Sequence, residues 1–270
     1  MKKTYIFLIF ILAGAYLNSQ TPFKVISVNG EIVAKKANIT LQSGIEVKSD
    51  DNFAFIKPNS RAAMINSEMG RVILTEQNSA SAFSKAAFAP AMSAVSTRGF
   101  SNELLTSKLQ ISTYFNEKLL VIDNLKIRIN SKTFPMNENS YFFIRYMYNG
   151  DEINKRLSYK SDTLIIDKNE LYTVDGKPIP NPDVESMSLY FYEIIDDNSK
   201  ATYISTFDLL FIPNEQLKSE VQVIIDACKK KPYDTIIAEV YDYFTSFYGA
   251  IDKTYVESWV NEEFDIKKDK

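Results

Sequence analysis

Chemistry in this chain has to be done without histidine: none occurs among its 270 residues. That removes Ser-His-Asp and Cys-His catalysis, imidazole metal sites and the usual general base at neutral pH. The single cysteine, Cys228, can form neither an intramolecular disulfide nor a thiolate cluster. It falls on the apolar stripe of a helical pattern, which suits a buried inert thiol better than a nucleophile. Carboxylates are what remains, 34 Asp and Glu in all, and paired acids can hydrolyse glycosides unaided. No pair has a spacing that fixes it in one cleft. Asp50-Asp51-Asn52 and Asp196-Asp197-Asn198 could present carboxylates to Ca²⁺, but neither has the D-x-D-x-D-G spacing of a dedicated loop, and solvated turns are the expectation. The sequence therefore assigns no catalytic, cofactor-binding or metal-binding residue, and a hydrolase built on carboxylates ranks last among the functions considered.

The elements that would position any site are mainly strands. From Phe23 to Asn78, short apolar runs are broken by Asn29-Gly30, Ser43-Gly44, Pro58-Asn59 and Met69-Gly70, which are turn-type pairs. Asn29-Gly30 in particular reads as a type I′ hairpin corner. Runs this short with turns this frequent predict a small all-β unit.

The order of these pieces resembles the periplasmic FecR-like domain. A Gly30-Glu31-Ile32 strand start leads to the Leu41-Gln42-Ser43-Gly44 corner. The Phe53 to Ile56 run then enters Pro58-Asn59-Ser60, and Arg71-Val72-Ile73-Leu74 closes the series. The resemblance covers residues 20–78 and implies a solenoid-like or barrel-like β unit with a role in envelope signalling. FecR-type regulators carry a cytoplasmic anti-sigma segment and a membrane span ahead of this domain. Here a leader stands in that place, so sigma-factor regulation is not carried over.

Residues 79–117 begin with an Ala/Ser-rich piece that buries little area per residue, expected to be a linker. A short helix should follow, starting at Ser101-Asn102-Glu103 with Leu104, Leu105 and Leu109 on one side. Residues 118–213 hold strong strand patterns at Leu119–Ile122, Leu125–Ile129, Tyr141–Tyr148, Ser188–Ile195 and Ala201–Phe207. With shorter runs at Leu164–Ile166 and Leu171–Val174 they predict a β-sandwich-like unit of about seven strands. Its Tyr-rich strands either pack as an inter-sheet core or present an aromatic face to a glycan or a protein, and the packed core is the default. Residues 214–270 switch to helical period. Leu217, Val221, Ile224 and Cys228 share a stripe, Ile236 to Phe247 a second, and Tyr255 to Val260 a third short piece. The whole is mainly β with a C-terminal helical segment.

Residues 1–19 read as a secretory signal peptide: Lys2-Lys3, an apolar run too short for a comfortable span, and Ser19 at the cleavage point. The formal charge of −3 offers no basic field, so a nucleic-acid partner is excluded. The expectation is an exported, non-enzymatic binding or interaction module without a membrane span once the leader is removed. Its place would be the periplasm or cell surface of a Gram-negative bacterium, and its partner another envelope protein or surface ligand. An envelope-signalling component is the alternative.

Overall fold

The computed structural model describes residues 22–84, 104–179, 184 and 186–268. The expected signal peptide, most of the Ala/Ser-rich piece and the expected helix start at Ser101 lie outside the described residues. The protein is mainly β, with 42% of the described residues in strand against 24% in helix, several separate sheets and a helical C-terminal segment. It divides into two compact units, Met1–Pro90 and Ala91–Lys270.

In the first unit, β1 (Phe23–Asn29), β4 (Glu46–Val47), β6 (Arg61–Asn66) and β7 (Gly70–Thr75) make a sheet of order β4-β1-β6-β7. A second sheet, β3-β2-β5, is built from β2 (Ile32–Ala34), β3 (Ile39–Thr40) and β5 (Phe53–Phe55). Phe23, Val25, Ile32, Met64 and Leu74 share one buried core. Asn29-Gly30 is not a hairpin corner. β1 pairs with β4 and β6, and β2 pairs with β3 and β5, so this step carries the chain from one sheet to the other. Gly30 alone takes a positive φ, +88°, whereas a type I′ turn needs it at both central residues. The Ser60 hydroxyl sits against Gly30, accepting from the Glu31 N–H at 3.0 Å and donating to the Lys57 carbonyl at 2.7 Å.

At both ends of the expected linker, residues assigned to it belong to folded structure. Ser79–Ser84 continue the first unit in turns, with Ala82 in its core and the Phe83 ring 4.9 Å from Phe23. On the far side, Leu105 is buried and bridges to Ile129. The helix there, α1 (Lys108–Tyr114), starts at Ser107, whose hydroxyl accepts from Gln110 N–H while the Gln110 side chain reaches back to the Ser107 N–H. Its inward residues are Ile111 and the following Phe115, and Leu109 faces solvent.

The second unit has a five-stranded sheet, β11-β10-β16-β17-β8. These strands are β8 (Lys118–Ile122), β10 (Ser140–Tyr148), β11 (Asp151–Arg156), β16 (Met187–Ile195) and β17 (Asn198–Ile212). A three-stranded sheet, β12-β13-β9, combines β9 (Asn124–Arg128), β12 (Ser158–Lys160) and β13 (Thr163–Asp167). The two share one core, where Phe142, Ile144, Leu189 and Phe191 meet Ile127, Leu164 and Ile166. That makes the unit sandwich-like, with eight strands in the two layers. Between β13 and β16 lie the one-turn α2 (Lys168–Leu171) and a small hairpin of β14 (Thr173–Val174) and β15 (Lys177–Pro178). Leu171 belongs to this helix rather than to a strand. Asn149-Gly150 and Asp196-Asp197 take positive φ at both residues and close two-residue hairpins, β10–β11 and β16–β17. β17 runs antiparallel to β16 over its first part and parallel to β8 from Asp208 to Ile212.

The C-terminal segment comprises α3 (Asn214–Cys228), α4 (Tyr233–Phe247) and α5 (Lys253–Phe264). Val221, Ile224, Val240, Phe244, Val256 and Val260 bury the facing stripes. Polar side chains fix the helices further: Trp259 Nε1 donates to Asn214 Oδ1 at 2.7 Å, and Lys218 pairs with Glu263 at 2.9 Å. The Tyr233 hydroxyl donates to Asn261 at 2.8 Å. After α4 the backbone of Ala250 pairs with β8, accepting from Leu120 N–H and donating to the Lys118 carbonyl, both at 2.8 Å. No helix among the described residues is long and apolar enough to cross a membrane.

Candidate functional site

The carboxylate clusters marked in the sequence are engaged in turns. The Asp51 carboxylate accepts from the N–H groups of Lys36, Ala37 and Asn52, and Asp50 pairs with Lys36 at 3.1 Å. That hydrogen bond and charge hold the Asp50 carboxyl below its usual range. Asp196-Asp197 is the tip of the β16–β17 hairpin, where Asn198 Nδ2 donates to the Asp196 carbonyl at 3.0 Å. Among the described residues no three Asp, Glu or Cys side chains converge as metal ligands would.

Two other chemically suggestive groups are buried. Cys228 is closed into the helical segment. Burial first, and the Glu239 carboxyl second, push its thiol up to about 11, with Lys231 opposing. It is not a thiolate at neutral pH. Glu220 of α3 lies 3% exposed between helices. It accepts from the Tyr243 hydroxyl at 2.7 Å and from the Tyr248 hydroxyl at 2.8 Å, and Gln216 Nε2 donates to it at 3.1 Å. Burial first, then the Glu220 charge, raises the Tyr243 phenol far above the ordinary range. A carboxyl so enclosed fastens helices together rather than meeting a substrate.

The site that does face solvent is the outer side of the five-stranded sheet. Strand alternation divides the Tyr-rich runs between two faces. Phe142, Ile144 and Tyr146 of β10 and Leu189 and Phe191 of β16 enter the core, as a packed-core reading expects. There the Tyr146 hydroxyl donates to the Leu171 carbonyl at 2.8 Å, and burial pushes this phenol up to about 12. The alternate residues, Tyr141 and Phe143 on β10 and Tyr190 and Tyr192 on β16, lie on the other face. The packed-core expectation holds for the inner face, and on the outer face Phe143 is buried while Tyr141, Tyr190 and Tyr192 are half-buried.

Register places the outer side chains in rows across the sheet. One row runs Arg156, Phe143, Tyr190, Tyr203, and the next runs Asn154, Arg145, Ser188, Thr206. A third joins Tyr141, Tyr192 and the exposed Ala201. Cross-strand rings stack in pairs: Tyr141 on Tyr192 at 4.8 Å and Phe143 on Tyr190 at 5.0 Å, the latter nearly parallel at 10°. Tyr203, 46% exposed, sets its edge against Tyr190 at 5.6 Å. Arg156 stands 4.3 Å over Tyr141, and Arg145 stands 4.8 Å over Tyr190, a cation–π arrangement on each stack.

Hydrogen bonds hold both guanidiniums in place. Arg145 Nε donates to Asn154 Oδ1 at 2.9 Å and lies 3.3 Å from Glu152. Arg156 donates to the Asn137 carbonyl at 2.9 Å. Between the stacks opens a hollow of about 320 Å³, with Tyr141, Phe143 and Tyr192 on its walls, the two arginines at one side and Ala201 at its lip. That is the lower end of the size range for small ligand sites. β11, which supplies Asn154 and Arg156, escaped the sequence reading because Asp151-Glu-Ile-Asn-Lys-Arg156 has a single apolar residue and no strand-like alternation. The signal that could have found it is the Asn149-Gly150 pair directly before it, which demands a return strand.

No known family model, characterised protein or solved structure matches the chain. The geometry of this face is therefore the ground on which a function rests.

Proposed function

We propose that the protein is an exported, non-enzymatic binding module of the cell envelope, and that it engages its ligand through the outer face of the five-stranded sheet. One observation carries the reading: aromatic stacks and two fixed guanidiniums surround an open hollow on a sheet face. Tyrosine and arginine are the residues that most often anchor binding interfaces, and here they are held by neighbours before any ligand arrives, which lowers the entropy lost on binding. The leader-like first residues and the FecR-like order of Phe23 to Asn78 supply the address, an envelope, and leave the choice of ligand to this face.

Ala201 offers a clean test because it is exposed and lines the hollow. Ala201→Trp should fill the hollow while leaving the core and every ring stack in place. The purified full chain, immobilised and exposed to solubilised envelope, is expected to retain one or more specific components. The A201W chain is expected to lose them at an unchanged melting temperature. Equal retention by both chains would rule this face out as the binding site.

A further inference from the structure

On the reading that this face binds, we infer that its occupant is an extended segment of another polypeptide, which pairs along the edge of β11 and places a carboxylate beside Arg156.

Tyr141 lies between Tyr192 and the Arg156 guanidinium, and Tyr190 is stacked on Phe143 with Arg145 over it. The Arg145 and Arg156 guanidiniums that line the hollow are donors only. Glu152, two residues before Asn154 on β11, already pairs with Arg145 and accepts from Asn154 Nδ2 at 3.1 Å. Arg156 has the Asn137 carbonyl and the Tyr141 ring for partners, and no carboxylate among the described residues. The hollow is thus built to take an anion, next to a guanidinium with donors to spare.

The polypeptide character comes from the strand that carries Arg156. β11 ends the sheet order, and among the described residues β10 is its sole strand partner. Leu157 N–H donates to the Phe142 carbonyl at 2.9 Å, which makes that pair a hydrogen-bonded one. In an antiparallel ladder such pairs alternate, so Phe143 with Arg156 and Arg145 with Asn154 are of the other kind. The backbone N–H and C=O groups of Glu152, Asn154 and Arg156 accordingly point away from β10. The residues whose side chains border the hollow are the ones whose backbone is open for pairing. An added strand gains main-chain hydrogen bonds from that edge and specificity from a side chain it drops beside Arg156. The charged sequence of β11 excludes indiscriminate strand pairing and leaves a complementary acid as the matching partner.

Three synthetic probes test this on the purified full chain by fluorescence anisotropy. The first is a capped peptide of alternating Val and Thr with a central Glu, the second carries Lys in its place, and the third is the Glu peptide N-methylated at alternate backbone positions. The Glu peptide is expected to bind about tenfold or more tightly than the Lys peptide, as one charge-assisted hydrogen bond implies, and to weaken with added salt. Arg156→Gln should abolish the preference for Glu, and N-methylation should abolish binding. If an oligogalacturonate binds and the Glu peptide does not, the hollow reads a carboxylate on a sugar and the strand-pairing inference is overturned. If no peptide binds while A201W still loses the envelope component, the face binds something else: the inference fails and the proposed function stands.

Discussion

Glu220→Ala is expected to destabilise the protein by about 4 kcal/mol, the sum of two stranded hydroxyls and a small cavity. The Glu220 carboxyl is the acceptor that lets Tyr243, fully buried, and Tyr248, nearly so, bring their hydroxyls into the interior of the helical segment. Removing it leaves both hydroxyls without that acceptor where water does not replace it, at roughly 1–3 kcal/mol for each group. Glu220→Gln keeps one acceptor oxygen and should cost far less, on the order of 1 kcal/mol. The pair Glu220→Leu with Tyr243→Phe removes acceptor and donor together and should recover part of the loss, so a double-mutant cycle in urea will show a coupling well above zero. Additive single effects would mean that the carboxyl and the phenol do not depend on one another.

Gly249→Ala should cost about 2–4 kcal/mol for a different reason, backbone strain. Gly249 holds φ at +147°, and a Cβ there would sit 2.6 Å from the Lys118 carbonyl oxygen, a backbone atom that cannot swing aside. The same carbonyl accepts from Ala250 N–H, the bond that ties the end of α4 to β8. Relieving the clash therefore breaks the pairing that joins helix to sheet. Gly150→Ala is the control: φ is +89° in the β10–β11 turn, but nothing lies within 4 Å of the added carbon. Its cost should stay near 1 kcal/mol. Comparable melting temperatures for the two variants would show that the contact with Lys118 carries no weight.

The sequence exposes some of this and hides the rest for physical reasons. The helical stripe through Leu217, Val221, Ile224 and Cys228 and the alternating Leu125-Lys-Ile-Arg-Ile129 are visible because burial of one face writes a period into the chain. The Asn149-Gly150 turn is legible for the same local reason, since its two positive φ values need those residues. Asn29-Gly30 looks identical on paper and serves another end, because whether two flanking strands pair is decided by Val47, Met64 and Phe55, far along the chain. β11 is hidden since an edge strand with one wet face needs no apolar pattern. The candidate site was half-legible. Tyrosine-rich strands marked where to look, but Arg156 and Asn154 enter the site through a strand the pattern does not reveal, and the stacking of rings across β10 and β16 depends on register. Glu220 was indistinguishable from the other acids of an amphipathic helix until Tyr243 and Tyr248 were brought to it by the packing of α4.

Site-specific photo-crosslinking in living cells tests the central claim most directly. A benzophenone amino acid placed at Ala201, at the lip of the hollow, is expected to give a discrete covalent adduct on illumination. The same group at Lys230, exposed beyond the end of α3, is expected to give none. Adducts of equal yield from both positions, or none from Ala201 in cells where the protein is fully expressed, would contradict a binding face on the outer side of the five-stranded sheet.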